Sequence, residues 1–216
     1  MPEKEKVRKF FDDYVDGFDA LYNENKPARS LHRFLRASLF QRFELTREEA
    51  KRFKPGFSAI DIGTGSGRYL ALLAPYAGEL TAIDLSDPML TRARLRAEME
   101  GYADKLTLLN GDFLDLKLKQ SYDLVLALGY FDYITDAKPH LLKMMSICRG
   151  KLLVTFPKRW HWLTPQRKIR YWLAGCPLHF YSISDVKELV GEKTWKQVKL
   201  QDIGRDYFFR YSLYIK

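Results

Sequence analysis

With 216 residues, of which 46% are apolar, the chain has the length and composition of one globular domain with a sizeable core. No apolar run approaches the roughly 20 residues of a membrane span, and the first residues lack the apolar core of a secretion signal, so a cytoplasmic protein is expected. The formal net charge of +9 favours acidic partners: nucleic acid, an anionic lipid surface or a carboxylate substrate.

The first 54 residues are predicted to form a helical cap. Aromatic and apolar residues recur at intervals of three and four over 7–22, which predicts a helix. A second helix is predicted over 30–43. Thr46, followed three residues later by Glu49, has the spacing of a capping box that would open a third, short helix. A Pro-Gly pair then ends the cap.

A short apolar strand followed by three glycines comes directly after the cap. Ala59, Ile60 and Ile62 predict a buried strand, and the glycines that follow have the spacing G-x-G-x-G before a helix begins. Glycine permits a tight turn and lets a ligand approach bare backbone next to the N–H groups of a helix start. Alone, the pattern also suits an ordinary strand-to-helix turn or a dehydrogenase, although Arg68 stands where a dinucleotide fingerprint has its last glycine.

From this strand onward, strands alternate with helices, which is typical of a parallel sheet covered on both faces. The predicted strands span 58–62, 79–84, 105–110, 121–128 and 150–156, and the helices between them lie near 67–76, 87–100 and 137–147. A further helix from Ser182 to about Val190 precedes two strand-like stretches, 195–202 and 207–216. The predicted fold class is α/β, a Rossmann-like doubly wound sheet that is mostly parallel.

Carboxylates stand at the ends of successive predicted strands. Asp61 precedes the first glycine by two residues and can accept hydrogen bonds from a ligand's amino group. Asp84 ends the second strand, where a carboxylate can hold both hydroxyls of a ribose. Asp112 follows the third strand. Ligands of such sheets bind beyond the carboxyl ends of the strands, so these positions predict one binding site.

This ordered series resembles the class I S-adenosylmethionine-dependent methyltransferases over residues 55–156. Their first motif is similar to the stretch from Asp61 to Gly67, and their ribose-binding acid to Asp84. The resemblance implies S-adenosylmethionine as cofactor, S-adenosylhomocysteine as product, and a seven-stranded sheet with an antiparallel last strand. It also implies that Asp112 and Phe113 meet the adenine. The residues expected to bind the cofactor are Tyr14, Arg36, Asp61, Gly63, Thr64, Gly65, Gly67, Asp84, Leu85, Asp112, Phe113, Leu128 and Gly129.

The catalytic residues are left unassigned by the sequence. Methyl transfer asks mainly that the acceptor atom lie in line with the methyl–sulfur bond, and a general base is needed only when the nucleophile arrives protonated. The candidates expected to face the methyl group are Tyr14, Tyr130, Asp132, Tyr133 and His161. No metal site and no disulfide are predicted, because Cys148 and Cys176 have neither paired spacing nor neighbouring histidines.

An arm at 157–182 separates the predicted core, 55–156, from a C-terminal helix and strand hairpin at 183–216. Three tryptophans in this arm are interleaved with arginines and a lysine over 158–173, which is typical of a basic helix on an anionic lipid surface. Three interpretations stay open: a lid over the substrate entrance, a peripheral membrane contact, or tryptophans packed on the sheet.

The predicted acceptor is a small molecule methylated on oxygen, either a carboxylate or a hydroxyl, and an anionic acceptor suits the positive net charge. The cap and the arm resemble, loosely, those of the magnesium-protoporphyrin and ubiquinone-pathway O-methyltransferases. The alternatives are a nucleic-acid methyltransferase and a catalytically inactive cofactor-binding module. Amino-methylating nucleic-acid enzymes carry a proline pair after the fourth strand, whereas here Asp132 and Tyr133 are followed by Ile134.

Overall fold

One sheet of seven strands organises the part of the chain that the computed structural model describes, which is residues 2–20, 30–118 and 120–213 without the side chains of 15–20 and 30–37. The strands are β1 (Phe57–Ile62), β2 (Ala77–Asp84), β3 (Leu106–Asn110), β4 (Tyr122–Ala127), β5 (Cys148–Pro157), β6 (Val198–Asp202) and β7 (Asp206–Ser212). They lie in the order β3-β2-β1-β4-β5-β7-β6.

Helices fill the connections between these strands and precede the first. They are α1 (Glu3–Ala20), α2 (Ser30–Ala50), α3 (Arg68–Leu73), α4 (Asp87–Met99), α5 (Ala137–Ser146), α6 (Thr164–Leu173), α7 (Ile183–Val190) and α8 (Glu192–Trp195), with short 3-10 turns at Ala103–Lys105 and Phe131–Tyr133. None of the described helices is both long enough and apolar enough to cross a bilayer.

The strand directions confirm the predicted fold class. β1 pairs in parallel with β2 and β4, while β7 runs antiparallel to both β5 and β6. The strand order reverses between β1 and β4, and ligands of open α/β sheets bind at such a switch point, beyond the carboxyl ends of the strands. The topology therefore places a crevice where β1 and β4 end.

The core lies on both faces of the sheet. One buried cluster combines side chains of α5 and α7 with β1, β4, β5 and β7, and the other combines α3 and α4 with the opposite side chains of the same strands. All six residues of β1 are buried, as expected for a central strand covered twice. Because β1 is packed on both faces, the position of its last residue is fixed, and so is the start of the glycine turn that follows it.

The predicted helix start at Thr46 is wrong, because α2 continues without a break to Ala50. The Thr46 hydroxyl donates to the carbonyl of Arg42 at 2.7 Å, one turn earlier in the same helix. Glu49, expected to complete a capping box, instead accepts from Lys151 of β5 at 2.5 Å and lies 3.6 Å from Arg210 of β7. Helix α2 therefore continues past Thr46, where the local spacing predicted a new helix, and Glu49 joins its last turn to the sheet by ion pairs.

Candidate active site

The turn between β1 and α3 carries the glycines that the sequence singled out. Gly63, Gly65 and Gly67 all have positive φ, at 73°, 53° and 75°, a region that L side chains rarely adopt. A Cβ on Gly63 would stand 2.7 Å from the ring of Tyr130, so the turn also needs glycine for space. The result is a stretch of bare backbone at the end of β1.

Asp84 shapes this turn from the end of β2. Its carboxylate accepts from the backbone N–H of Gly65 at 2.8 Å and from that of Ser86 at 3.0 Å. Burial raises the pKa of Asp84, although these backbone hydrogen bonds oppose the rise. Asp84 lines a cavity that lies beyond the ends of these strands, so a carboxylate is available to a ligand there.

Asp61 lies behind the glycine turn. It is 1% exposed, accepts from the Thr64 hydroxyl at 2.9 Å, and is absent from the cavity wall, as are Thr64 and Gly67. Burial raises the pKa of Asp61 to about 7, with Thr64 lowering it and Asp84 raising it further. The position predicted to meet a ligand's amino group is thus a buried carboxyl in the layer beneath the turn.

Replacing Asp61 by asparagine should remove a pH dependence of stability. Because the folded-state pKa of about 7 lies above the ordinary value of 3.8, the folded chain binds more protons than the unfolded chain between these pH values. The group's contribution to the free energy of unfolding should therefore fall as pH rises towards 7, by about 1.4 kcal/mol per pH unit. Urea unfolding of the wild type and Asp61→Asn at pH 5 and pH 8 measures it.

The exposed carboxylate of Asp104 provides the matched control for this prediction, since Asp104→Asn should keep the wild-type pH slope. A wild type and an Asp61→Asn variant with equal slopes would show that the Asp61 carboxyl titrates normally.

The end of β3 brings together Asp112, Phe113 and a lysine of α1. Lys4 forms an ion pair with Asp112, and the Asp112 carboxylate also accepts from the Leu114 N–H at 2.8 Å. Burial raises the pKa of Asp112, but the bonds from Lys4 and Leu114 outweigh it, so the pKa is lowered overall. Phe113 is buried and lines the cavity, while Asp112 faces α1.

Helix α1 lies over the crevice at the strand ends. Asp12 accepts from the Ser86 hydroxyl at 2.6 Å, next to Asp84. The rings of Phe10 and Phe11 contact residues of the opposite wall, with centroids 5.3 Å from Tyr171 and 5.0 Å from Tyr133. Tyr14 also lines the cavity. The side chain of Arg36, predicted to bind the cofactor, lies outside the described part of the structure.

The cavity enclosed in this way has a volume of about 450 Å³ and runs from the glycine turn to α6. Most of the residues that the sequence nominated lie on its wall: Tyr14, Gly63, Gly65, Asp84, Leu85, Phe113, Leu128, Gly129, Tyr130, Asp132, Tyr133 and His161. At its far end the wall consists of residues from α6 and from the turn between β6 and β7. One space therefore joins the predicted cofactor positions to the predicted catalytic ones.

Tyr130 and Tyr133 are held as neutral phenols in this wall. The Tyr130 hydroxyl lies 2.8 Å from Nδ1 of His140. Tyr133 donates to the Tyr171 hydroxyl at 3.3 Å. Burial raises the pKa of both tyrosines well above the ordinary value of 10, and nearby carboxylates add to the effect. Neither phenol is arranged to accept a proton at neutral pH.

Asp132 belongs to a buried ionic cluster that the sequence did not reveal. It accepts from Arg167 of α6 at 2.9 Å, and beside it Asp206 accepts from Arg42 of α2 at 2.5 Å. Burial raises the pKa of Asp132, although the positive charge of Arg167 opposes the rise. The pKa of Asp206 is lowered, because the positive charges of Arg42 and Arg167 outweigh the effect of burial. Arg42 and Asp206 are 164 positions apart, so no local sequence motif predicts that they form a pair.

His161 is neutral in this site, and its tautomer is set by the backbone. Burial lowers its pKa, and the nearby cations Lys158 and Arg205 lower it further. Its Nδ1 accepts from the Leu163 N–H at 3.2 Å, so in the neutral ring the proton resides on Nε2. His161 thus presents a hydrogen-bond donor to the cavity rather than a free base.

Comparison with known proteins adds the family to this geometry. Residues 59–149, the strands and helices that build the crevice, match the family model described as a methyltransferase domain. This match covers about two fifths of the chain, and the strand order around it is that of an open sheet with a switch point between β1 and β4. The predicted resemblance to the class I S-adenosylmethionine-dependent methyltransferases is thereby confirmed.

One curated relative of this methyltransferase domain is a sterol 24-C-methyltransferase of Gibberella zeae, 32% identical over 77 residues. The match covers 35% of this chain and spans only a fifth of that protein.

Two solved structures share the fold of the whole chain. The magnesium protoporphyrin IX methyltransferase of Synechocystis PCC 6803, with bound SAH, is 18% identical, with a TM-score of 0.77 and coverage of 98% of this chain and 99% of that one. An N-methyltransferase of Bradyrhizobium japonicum in complex with S-adenosylhomocysteine is 14% identical, with a TM-score of 0.68 and coverage of 96% and 98%.

Proposed function

We propose that this chain is an S-adenosylmethionine-dependent methyltransferase that methylates a small molecule on an oxygen atom. The observation that carries the proposal is the continuous cavity that runs from Gly63, Gly65 and Asp84 at the strand ends to Tyr133 and Arg167 at the arm. A methyl donor in the first part and an acceptor in the second would meet inside one enclosed space. Positioning of this kind supplies most of what methyl transfer requires.

The residues of the first part fit the groups of the cofactor. The bare backbone at Gly63 and Gly65 suits its amino-acid end, and the Asp84 carboxylate on the cavity wall suits the two ribose hydroxyls. Phe113 offers an apolar surface for the adenine, whereas the Asp112 carboxylate is held by Lys4 of α1 and by the Leu114 N–H. When bound, S-adenosylmethionine supplies the methyl group on a sulfonium; the chain supplies enclosure and alignment.

The choice of oxygen rests on the candidate bases. Tyr130 and Tyr133 remain protonated, Asp132 is bonded to Arg167, and Nδ1 of His161 already accepts from the Leu163 N–H. An acceptor that needs deprotonation finds no free base among these four, whereas a carboxylate arrives already ionised. The similar proteins are named for a porphyrin, for sterol carbon and for nitrogen methylation, so the choice depends on this site.

A mass-spectrometric screen tests the proposal. The purified protein is incubated with a metabolite extract, with and without S-adenosylmethionine, and products heavier by one methylene are sought. Methyl esters or methyl ethers that appear only with the cofactor are expected. Methylation confined to nitrogen, carbon or added RNA would overturn the assignment to oxygen of a small molecule, and cofactor binding without any turnover would identify an inactive binding module.

We also propose that the arm contacts an anionic membrane from the cytoplasmic side. Its tryptophans are not packed on the sheet: Trp160 is 85% exposed and Trp172 77%. Ile169 and Leu173 add apolar surface, and Lys168 lies exposed beside them. A short helix with exposed tryptophan and basic side chains suits the interface of a bilayer that carries anionic headgroups.

Sedimentation with vesicles of phosphatidylserine and phosphatidylcholine should show binding at low salt that weakens at high salt, because each basic residue contributes about 1 kcal/mol near an anionic surface. The double variant Trp172→Ala/Lys168→Glu should lose most of this binding, while Lys117→Glu, at an exposed lysine outside the arm, should lose little. A wild type that stays in the supernatant at low salt would contradict the membrane contact.

A further inference from the structure

Arg205 differs from the other arginines of the ionic cluster because no carboxylate of the described residues pairs with it. It lies in the turn between β6 and β7, half-buried, on the cavity wall. Its Nε donates to the Ser38 hydroxyl at 3.2 Å. Within the described part of the chain, no carboxylate comes within ion-pair distance of its guanidinium, whereas Arg42 and Arg167 each have one. The guanidinium therefore keeps donors that the fold does not use.

The charges around Arg205 do not balance. Arg42, Arg167 and Arg205 face two carboxylates, Asp132 and Asp206, each already bonded to its own arginine. Burial lowers the pKa of Arg205; Asp206 opposes this, and Arg167 and Arg42 add to it. A partly buried cation among other cations is costly unless an anion approaches it. Within this cluster the guanidinium of Arg205 is thus left without a carboxylate, and Arg170 adds a further cation to the same cavity wall.

His161 supplies a further donor in the same region. The nearby cations that lower its pKa include Arg205 and Lys158. With Nδ1 engaged by the Leu163 N–H, its Nε2–H has no hydrogen-bond partner among the described residues, and the ring lines the cavity. The rings of Tyr171 and Phe180 form part of the adjoining wall. An aromatic or otherwise apolar body with an oxyanion at one end would match these surfaces.

We propose that Arg205, with His161, binds a carboxylate of the acceptor at the arm end of the cavity. The proposal rests on the proposed function and names the substrate class: a small apolar carboxylic acid. A carboxylate offers two oxygens to the fork of a guanidinium, which is the geometry that arginine recognises best. The inference concerns how the acceptor binds and holds for whichever of its oxygens is methylated.

The test compares 2-naphthoate with 2-naphthamide, which have the same shape but differ in charge, by titration calorimetry in the presence of saturating S-adenosylhomocysteine. The wild type should bind the carboxylate at least tenfold more tightly than the amide, as expected for a charge-assisted bond. Arg205→Gln should abolish this preference, and Arg205→Lys should keep part of it. Arg94→Gln, at an exposed arginine of α4 away from the cavity, should leave it unchanged.

Three outcomes would overturn the inference: no measurable naphthoate binding, equal affinity of the wild type for both probes, or a carboxylate preference that survives in Arg205→Gln. A preference for 2-naphthyl phosphate over naphthoate would replace the carboxylate by a phosphate. Affinity for S-adenosylhomocysteine alone is measured in every variant and should not change. A wild type that fails to bind this compound refutes the proposed function, whereas normal binding of it without a carboxylate preference refutes only the role of Arg205.

Discussion

Replacing Asp84 by alanine should weaken the binding of S-adenosylhomocysteine at least tenfold. Asp84 offers a carboxylate to the cavity and also accepts from the Gly65 N–H at 2.8 Å, so its loss removes a ligand contact and loosens the glycine turn. Losing a charge-assisted hydrogen bond costs about 1.5–3 kcal/mol, which corresponds to roughly one to two decades in affinity. Isothermal titration calorimetry measures the dissociation constant directly.

Two further variants separate charge from turn geometry. Asp84→Asn keeps an acceptor for the Gly65 N–H and removes the charge, so it should fall between the wild type and alanine. Asp104→Asn removes an exposed carboxylate outside the cavity wall and should bind like the wild type. Unchanged affinity in Asp84→Ala, with an unchanged melting temperature, would remove Asp84 from the cofactor site.

Deleting residues 1–20 should leave a folded sheet that binds S-adenosylhomocysteine at least tenfold more weakly and no longer turns over. Helix α1 reaches the strand ends through Lys4, bonded to Asp112, and through Asp12, bonded to Ser86. Without it, one wall of the cavity opens to water, and the apolar surface that encloses both ligands is lost. The strands and the two core clusters lie almost wholly outside the deleted segment.

Circular dichroism and thermal unfolding report whether the shortened chain folds, and calorimetry reports its affinity. The double variant Glu5→Ala/Lys9→Ala is the matched control, because both side chains point to solvent and neither lines the cavity. Full affinity and full activity in the truncated protein would mean that α1 only packs against the domain and takes no part in the site.

The sequence was sufficient for the core of the fold and for the strand ends at which the cofactor is predicted to bind. A tight glycine turn was predicted at Gly63, Gly65 and Gly67, and all three have a positive φ, which only glycine adopts easily. The acids were predicted correctly to stand at or near strand ends, because the periodicity that identifies strands and helices can be seen in neighbouring residues. The roles of Asp61, Asp84 and Asp112 toward a ligand stay predictions.

Only the tertiary structure determined which residues line the arm end of the cavity, where the acceptor is proposed to bind. The pairing of Arg42 with Asp206 joins residues 164 positions apart, and the long helix α2 is held by Glu49 reaching β5 and β7. Arg167, one of the basic residues interleaved with the tryptophans of the arm, turns inward to Asp132, while the tryptophans turn outward. Periodicity cannot determine these directions, because they depend on which distant surfaces meet when the helices dock on the sheet. Local backbone preference therefore determined the glycine turn and the strands, and long-range packing and charge pairing determined what faces the acceptor.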